Sequence, residues 1–353
     1  MRAVSLFCGA GGMDVGFAAA GADIVWASEI DTDAAQTYRL NHPGAALCQG
    51  DIRETKSGLR AAVGDDVDLV FGGPPCQGFS VAGKMDPDDE RSKLIWEFLD
   101  VVRIVQPSIF VMENVKALGE LARWHEIRSK IVKRAAELGY HCFFRVLNSA
   151  DFDVPQKRER VFFIGYKGKR KKSEAAFDRA LTQLHRPRKN LRECLLELPR
   201  AGTEGNPFTC TAKISLAANP VLRKSPYAGM LFNGLGRPLD LDSQANTLPA
   251  SMGGNKTPIL DEKVLEDAKA ENWVIEHHRK LWNGEAGDDD VPDSLRRITT
   301  LEAAAIQTFP SGYQFFGEKS SVYRQIGNAV PCHLAEAVAR AAMGVLAGVQ
   351  QSY

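Results

Sequence analysis

Short apolar runs alternate with segments of helical spacing through the first half of the chain. The runs at Arg2–Phe7, Asp23–Ile30, Ala46–Ile52, Val67–Gly73, Ser108–Asn114, His141–Ser149 and Arg160–Tyr166 read as strands. Between them Leu94, Phe98, Val102 and Val105 recur at helical spacing, as do Ile127, Ile131, Ala135 and Leu138. Strand and helix alternating in this way predict an α/β fold, a mainly parallel sheet covered on both faces. After about residue 185 the texture turns Pro-, Gly-, Asn- and Ser-rich, and residues 225–258 read as turns and short strands suited to a recognition surface. Order returns in Thr299–Phe309 and in a last helix, Leu334–Leu346, expected to dock back onto the first domain. The expected division is a catalytic and cofactor-binding domain over 1–185 plus 318–353, and a second domain with its hinge over 186–317.

At 353 residues, two domains fit the usual roughly 100–200 residues each. With 44% apolar and 25% charged residues the composition is that of an ordinary soluble protein. The N-terminus lacks a secretory apolar core and no uninterrupted membrane-length apolar run occurs, so a cytoplasmic location is expected. The seven cysteines are odd in number and scattered, with no C-x-x-C pair, which does not look like a disulfide framework and points away from a structural zinc. A formal net charge of zero decides nothing about nucleic acid, because binding needs only a local basic face.

Candidate chemistry begins at Gly72-Gly73-Pro74-Pro75-Cys76-Gln77, directly after an apolar run. Each proline fixes φ at about −65° and removes a donor, so one thiol is held at the carboxyl edge of a strand, where open α/β folds bind ligands. Such a thiol is either a nucleophile or a small buried hydrophobe. Phe7-Cys8-Gly9-Ala10-Gly11-Gly12 follows the first strand and opens a helix, with glycines that allow a ligand close to the backbone. Glu29, ending the second strand, is placed to accept from ribose hydroxyls, and Asp51-Ile52 offers an acceptor and an apolar wall for adenine. These imply an adenosine-containing cofactor without separating a nicotinamide from S-adenosylmethionine. Glu113 ends a further strand, on the same sheet edge as Cys76. In Gln156-Lys157-Arg158-Glu159-Arg160, a strand would aim Arg158 and Arg160 to one side. His277-His278 reads as a polar surface pair rather than a metal site.

Taken in order, FCGAGG, GGPPCQGFS, MENV, QKRERVFFIG, RRITTLEAAAIQTFP and QIGNAVP resemble the motifs of the DNA cytosine-5 methyltransferase family, of the bacterial restriction–modification type, over nearly the whole chain. The resemblance implies an S-adenosylmethionine-dependent methyltransferase fold, Rossmann-like, with a smaller irregular target-recognition domain in the variable region. It implies that Cys76 adds to C6 of a cytosine, because C5 is too poor a nucleophile to take a methyl group unaided, and covalent addition splits one hard step into easier ones. A free thiol has a pKa of about 8.5, and Arg158 and Arg160 would help ionise it. Glu113 would serve N3, a role that needs a carboxyl held protonated.

By the same likeness Phe7, Gly9, Gly11 and Gly12 serve the methionine end of S-adenosylmethionine, Glu29 the ribose, and Ile30, Asp51 and Ile52 the adenine. Pro75, Leu94, Asn328 and Val330 complete that pocket. The product is S-adenosylhomocysteine, and no metal is implied. The target base would be flipped out of double-stranded DNA. The segment from Gln77 to Lys93 resembles the family's mobile loop, with Ser80, Lys84 and Arg91 at phosphate-contacting positions, and Thr247 resembles a phosphate anchor. Arg237, Asn246, Ser251 and Asn255 are candidates for reading base edges.

The resulting expectation is a sequence-specific DNA cytosine-5 methyltransferase, a monomer, with a cognate restriction endonuclease as possible partner. The rival with the same chemistry is a tRNA cytosine-5 methyltransferase, which the missing Cys-Phe-Thr signature and the long variable region disfavour. A nicotinamide dehydrogenase would leave Cys76, Glu113 and QKRER unexplained, and a non-catalytic DNA-binding relative would not need Cys76 and Glu113.

Overall fold

All seven expected strands form, with no end moved by more than three residues. The computed structural model describes residues 1–75, 93–168, 173–207 and 209–350. The strands are β1 (Arg2–Leu6), β2 (Asp23–Glu29), β3 (Ala46–Gln49), β4 (Leu69–Gly72), β5 (Ile109–Val115) and β6 (Tyr140–Asn148), then a two-residue β7 (Gln156–Lys157) and β8 (Glu159–Lys167). One seven-stranded sheet has the order β3-β2-β1-β4-β5-β8-β6. Neighbours from β3 to β5 run parallel, while β8 is antiparallel to both β5 and β6.

Residues alternate between the two faces, as a pleated strand requires. Ala3, Leu69, Phe71, Ile109, Val111, Phe162 and Ile164 join one core with Phe17, Phe177, Leu334 and Val338. Val4, Leu6, Val70, Phe110, Met112, Val161 and Phe163 join the other with Phe98, Val102 and Ile131. Burial on both faces is why these strands read as nearly continuous apolar runs.

The chain divides into two units. The first comprises Met1–Phe152, Glu159–Arg186 and Val330–Tyr353, and the second Asp153–Arg158 and Pro187–Ala329. The division at 186/187 lies beside the expected boundary, but the stretch expected to return at 318 does so only at Val330. Helix Lys319–Asn328 belongs to the second unit because it packs there on helix Thr300–Ile306. Helix Cys332–Gln350 covers helix Gly12–Ala19 within the first unit, as its apolar face implied. The stretch Lys319–Gly348 is long and apolar enough to cross a membrane, with mean hydropathy 1.2 over its 18-residue window, but 67% of that window is buried inside the protein.

In the second unit, helix Thr300–Ile306 opens on a capping box in which Thr299 Oγ1 accepts from the Glu302 amide and Glu302 Oε2 accepts from the Thr299 amide. Arg296 pairs with both Glu302 oxygens, at 2.9 and 2.7 Å. The histidine pair is not on the surface: His277 and His278 are both buried on helix Trp273–Trp282. Each ring has a partner that drew it in, Asp288 Oδ2 at 3.0 Å for His277 and the Arg223 carbonyl at 2.8 Å for His278.

Candidate active site

β1 and β4 are adjacent strands from which the chain order runs outward in opposite directions, so the loops after them part at a crevice of the kind that binds ligands in open α/β sheets. The first loop turns sharply. Phe7 has φ 54°, a left-handed conformation uncommon outside glycine, followed by Gly9 at 56° and Gly11 at 83°. The Cys8 amide donates to the Ser28 carbonyl at 3.0 Å, and the Gly9 amide to Glu29 Oε2 at 2.8 Å. Glu29 Oε1 accepts from the Ile30 and Asp31 amides, each at 2.8 Å.

Burial pushes the Glu29 carboxyl above its ordinary pKa, against the pull of those three amides. Of about four lone-pair sites on a carboxylate, three are taken, leaving one for a ligand hydroxyl. A Cβ at Gly9 would meet nothing within 4 Å, and the neighbouring Ile30 is 64% exposed. An open cradle over the loop, a carboxylate acceptor and an uncovered apolar side chain together fit an adenosine-bearing cofactor.

Asp51 Oδ1 accepts from the Arg53 amide at 2.9 Å, capping helix Ile52–Thr55, and Arg53 pairs with the same carboxylate and holds its pKa below the usual range. Ile52 is buried in the core, so its side chain is not open to a ligand as an apolar wall would have to be, whereas the Ile30 side chain is uncovered. What Ile52 retains for a ligand is its backbone N–H, which in a first-turn residue has no intrahelical acceptor. Pro75 and Leu94 are half-buried and Val330 is buried, all in the first unit, while Asn328 is exposed on the second.

β4 ends where only glycine passes, since a Cβ at Gly72 would lie 2.0 Å from the Leu6 carbonyl oxygen. Gly73, Pro74 and Pro75 then lead to Cys76, which lies outside the described residues, as do Ser80, Lys84, Arg91 and nearly all of the Gln77–Lys93 segment. β5 supplies the counterpart. Gly72 is in register with Met112, so Glu113 sits one residue beyond, and a Cβ at Gly73 would lie 2.8 Å from its Oε2. The other oxygen, Oε1, lies 2.9 Å from Arg160 Nε, with the two side chains 12 and 14% exposed. Asn114 Nδ2 donates to the Pro74 carbonyl at 3.2 Å, a tie between the two motifs that sequence reasoning did not assign.

Arg158 departs from expectation. β8 begins only at Glu159, so strand alternation does not carry Arg158 to the Arg160 side. Its guanidinium is buried in the second unit, donating to the carbonyls of Leu248 at 3.2 Å, Gly327 at 2.9 Å and Asn328 at 3.4 Å. Of the six described cysteines, all free, Cys8, Cys142, Cys194 and Cys332 are buried, and burial pushes every one of those thiols up, Cys142 to about 12 and Cys194 to about 11. Such thiols are poor nucleophiles at neutral pH.

Arg237, Asn246, Thr247, Ser251 and Asn255 are all exposed on the second unit. The Gly236 amide donates to the Asn255 carbonyl at 2.8 Å, joining the loops that carry Arg237 and Asn255, and Thr247 Oγ1 donates to the Lys157 carbonyl at 3.1 Å. Beneath them buried Arg297 donates to the carbonyls of Ala212 at 3.0 Å, Thr257 at 2.7 Å and Asn255 at 3.3 Å. An arginine just ahead of the capped helix was the only sequence signal for that support.

The profile of C-5 cytosine-specific DNA methylases matches residues 1–343. The Type II methyltransferase M1.HphI of Haemophilus parahaemolyticus is 33% identical over 345 residues, 96% of this chain and 86% of that protein. M.AquIA of Picosynechococcus is 47% identical over 176 residues, 46% of this chain and 71% of its own length. Among solved structures the S. pombe Dnmt2 methyltransferase superposes with TM-score 0.67 at 22% identity, covering 99% of each chain, a likeness of fold.

Proposed function

Because the chain belongs to the C-5 cytosine-specific DNA methylase family, we propose that it transfers a methyl group from S-adenosylmethionine to C5 of a cytosine flipped out of duplex DNA, through a covalent bond from Cys76 to C6. The observation that carries this reading is Glu113, fixed by Arg160 at 2.9 Å and facing Gly73, three residues ahead of Cys76. A carboxyl held at the sheet edge, beside a turn whose sequence leads on to a cysteine, suits addition across the C5–C6 bond of a pyrimidine. The exclusion of four buried thiols supports Cys76 as nucleophile.

In this mechanism the Cys76 thiolate attacks C6, and Glu113 serves N3 by hydrogen bond or proton, stabilising the charge that develops on the ring. Arg160 orients the Glu113 carboxyl. S-adenosylmethionine, when bound, supplies the electrophilic methyl group. Glu29 and the Phe7–Gly12 loop, open above Gly9, would hold the cofactor, with Ile30 covering its apolar part. C5 then loses its proton, the Cys76–C6 bond breaks and the aromatic ring is restored. Arg158 acts through backbone carbonyls rather than on substrate. Thr247 holds a DNA phosphate and Arg237, Asn246, Ser251 and Asn255 read bases, with Ser80, Lys84 and Arg91 also serving phosphates. The product mark would protect host DNA from a cognate endonuclease, as in Type II systems.

The test is transfer of labelled methyl from S-adenosylmethionine to unmethylated duplex DNA, with Cys76→Ser in parallel and bisulfite sequencing of the product. C5 methylation within one short sequence, absent with Cys76→Ser, is expected. Labelling of tRNA and not of duplex DNA would overturn the substrate assignment, and full activity of Cys76→Ser the nucleophile.

A further inference from the structure

Leu248, the residue after exposed Thr247, has both backbone polar groups gripped by buried side chains of the second unit. Its amide donates to Gln156 Oε1 at 2.9 Å. Gln156 Nε2 donates to Gln307 Oε1 at 2.9 Å, and Gln307 Nε2 donates to the carbonyls of Ile326 at 2.7 Å and Ala329 at 3.2 Å. The relay starts at a backbone N–H and ends at backbone carbonyls, so each amide has only one workable orientation. A second path runs from the Leu248 carbonyl through Arg158 to the carbonyls of Gly327 and Asn328. Gln156 and Gln307 are 0% exposed and Arg158 is 2% exposed. The two segments also touch directly, since a Cβ at Gly327 would lie 2.5 Å from the Pro249 carbonyl oxygen.

The connected points are those where the chain changes unit. It passes into the first unit at Arg158/Glu159, two residues before Arg160 meets Glu113, and again at Ala329/Val330. β7 pairs in parallel with Ala245–Asn246, so the Thr247 segment is bound to the first crossing by backbone as well. Buried networks of this kind, with both side-chain amides of the glutamine relay hydrogen-bonded, favour one arrangement and resist independent movement of their members.

We propose that Gln156, Gln307 and Arg158 form a coupling device, in which Gln307 is a positioning residue: DNA engaging Thr247 and cofactor engaging the chain at Val330 act on one buried cluster, so each tightens binding of the other. This inference rests on the function proposed above. Coupling in binding is reciprocal, and typical factors lie between about 5- and 150-fold.

The experiment measures S-adenosylhomocysteine binding by calorimetry to the whole enzyme, with and without duplex carrying the site found by bisulfite sequencing. Wild type is expected to bind it about tenfold tighter on DNA, within that usual range. Gln307→Met and Gln156→Met each cut the relay at a different link. Either is expected to leave affinity without DNA within about twofold while the DNA enhancement collapses toward one. A wild-type factor of one, or an enhancement retained in both variants, overturns the proposal. If neither variant folds, amide exchange on wild type decides: S-adenosylhomocysteine alone should slow exchange at Leu248, and duplex alone at Ala329. Slowing confined to each ligand's own segment overturns it. A wild type that binds no S-adenosylhomocysteine and methylates nothing overturns the proposed function instead.

Discussion

Arg160 reaches Glu113 because β8 runs antiparallel to β5 with Arg160 opposite Val115 and Phe162 opposite Glu113. Glu113 and Arg160 therefore stand diagonally on one face, within reach of a long side chain, and their 2.9 Å contact is fixed by strand register.

Glu113→Gln keeps the shape and removes the proton chemistry. Methyl transfer is expected to fall by about 10²- to 10⁴-fold, the usual worth of a positioned acid or base, with cofactor binding little changed. Activity within tenfold of wild type in the labelled-methyl assay would remove Glu113 from the mechanism.

Gly73→Ala would place its Cβ 2.8 Å from Glu113 Oε2, an oxygen whose partner on the same carboxylate is tied to Arg160. The carboxyl has to turn away. The expected outcome is a fall in kcat of at least tenfold with DNA affinity and melting temperature nearly unchanged, a misplacement effect. An unaltered kcat would mean the carboxyl position does not matter.

Glu29→Ala removes the acceptor of three loop amides. It also removes the one acceptor site left for a ligand hydroxyl, a hydrogen bond worth about 1.5–3 kcal/mol, so S-adenosylhomocysteine affinity measured without DNA should drop about tenfold or more. An unchanged dissociation constant would place the cofactor elsewhere.

Asp14 is fully buried, accepts from the Tyr38 hydroxyl at 2.9 Å through Oδ1, and leaves Oδ2 without a hydrogen-bond partner. Burial raises its pKa from 3.8 to about 7. Between those values the folded protein keeps a proton that the unfolded chain has released, so stability falls as pH rises through this window, by up to about 1.4 kcal/mol per unit, and is level above it. Asp14→Asn should flatten that part of the profile and melt higher than wild type at pH 8. Parallel melting curves for the two proteins between pH 4 and 8 would contradict this.

Gly16, on helix Gly12–Ala19, meets the backbone of helix Cys332–Gln350, where a Cβ would lie 2.4 Å from the Glu336 nitrogen and 2.5 Å from the Cys332 oxygen. Backbone cannot step aside as a side chain can, so Gly16→Ala should cost about 1–3 kcal/mol or more, read as a lowered urea midpoint. A midpoint equal to wild type would show that the helices separate easily.

The strands were legible because a sheet buried on both faces forces apolar runs, and the turns after β1 and β4 because Gly9, Gly11 and Gly72 are demanded by local backbone geometry. Arg158 was misread because its direction depends on where β8 begins, which one residue decides. Gln156 and Gln307 lie 151 positions apart, and no local pattern relates them. The burial of His277 hangs on Asp288, beyond the end of its own helix, which periodicity cannot see. Local rules therefore recovered the sheet-edge residues, whereas contacts made by returning chain were invisible to them.

The pairing of helix Gly12–Ala19 with helix Cys332–Gln350 has a consequence for biosynthesis. The helix that follows the Phe7–Gly12 loop leaves the ribosome well before the helix that covers it. Domains tend to fold as units as they emerge, but this one cannot finish until Cys332–Gln350 has also been made. A ribosome that stalls between the two therefore releases a chain whose Phe7–Gly12 loop lacks its backing, however well the sheet has formed.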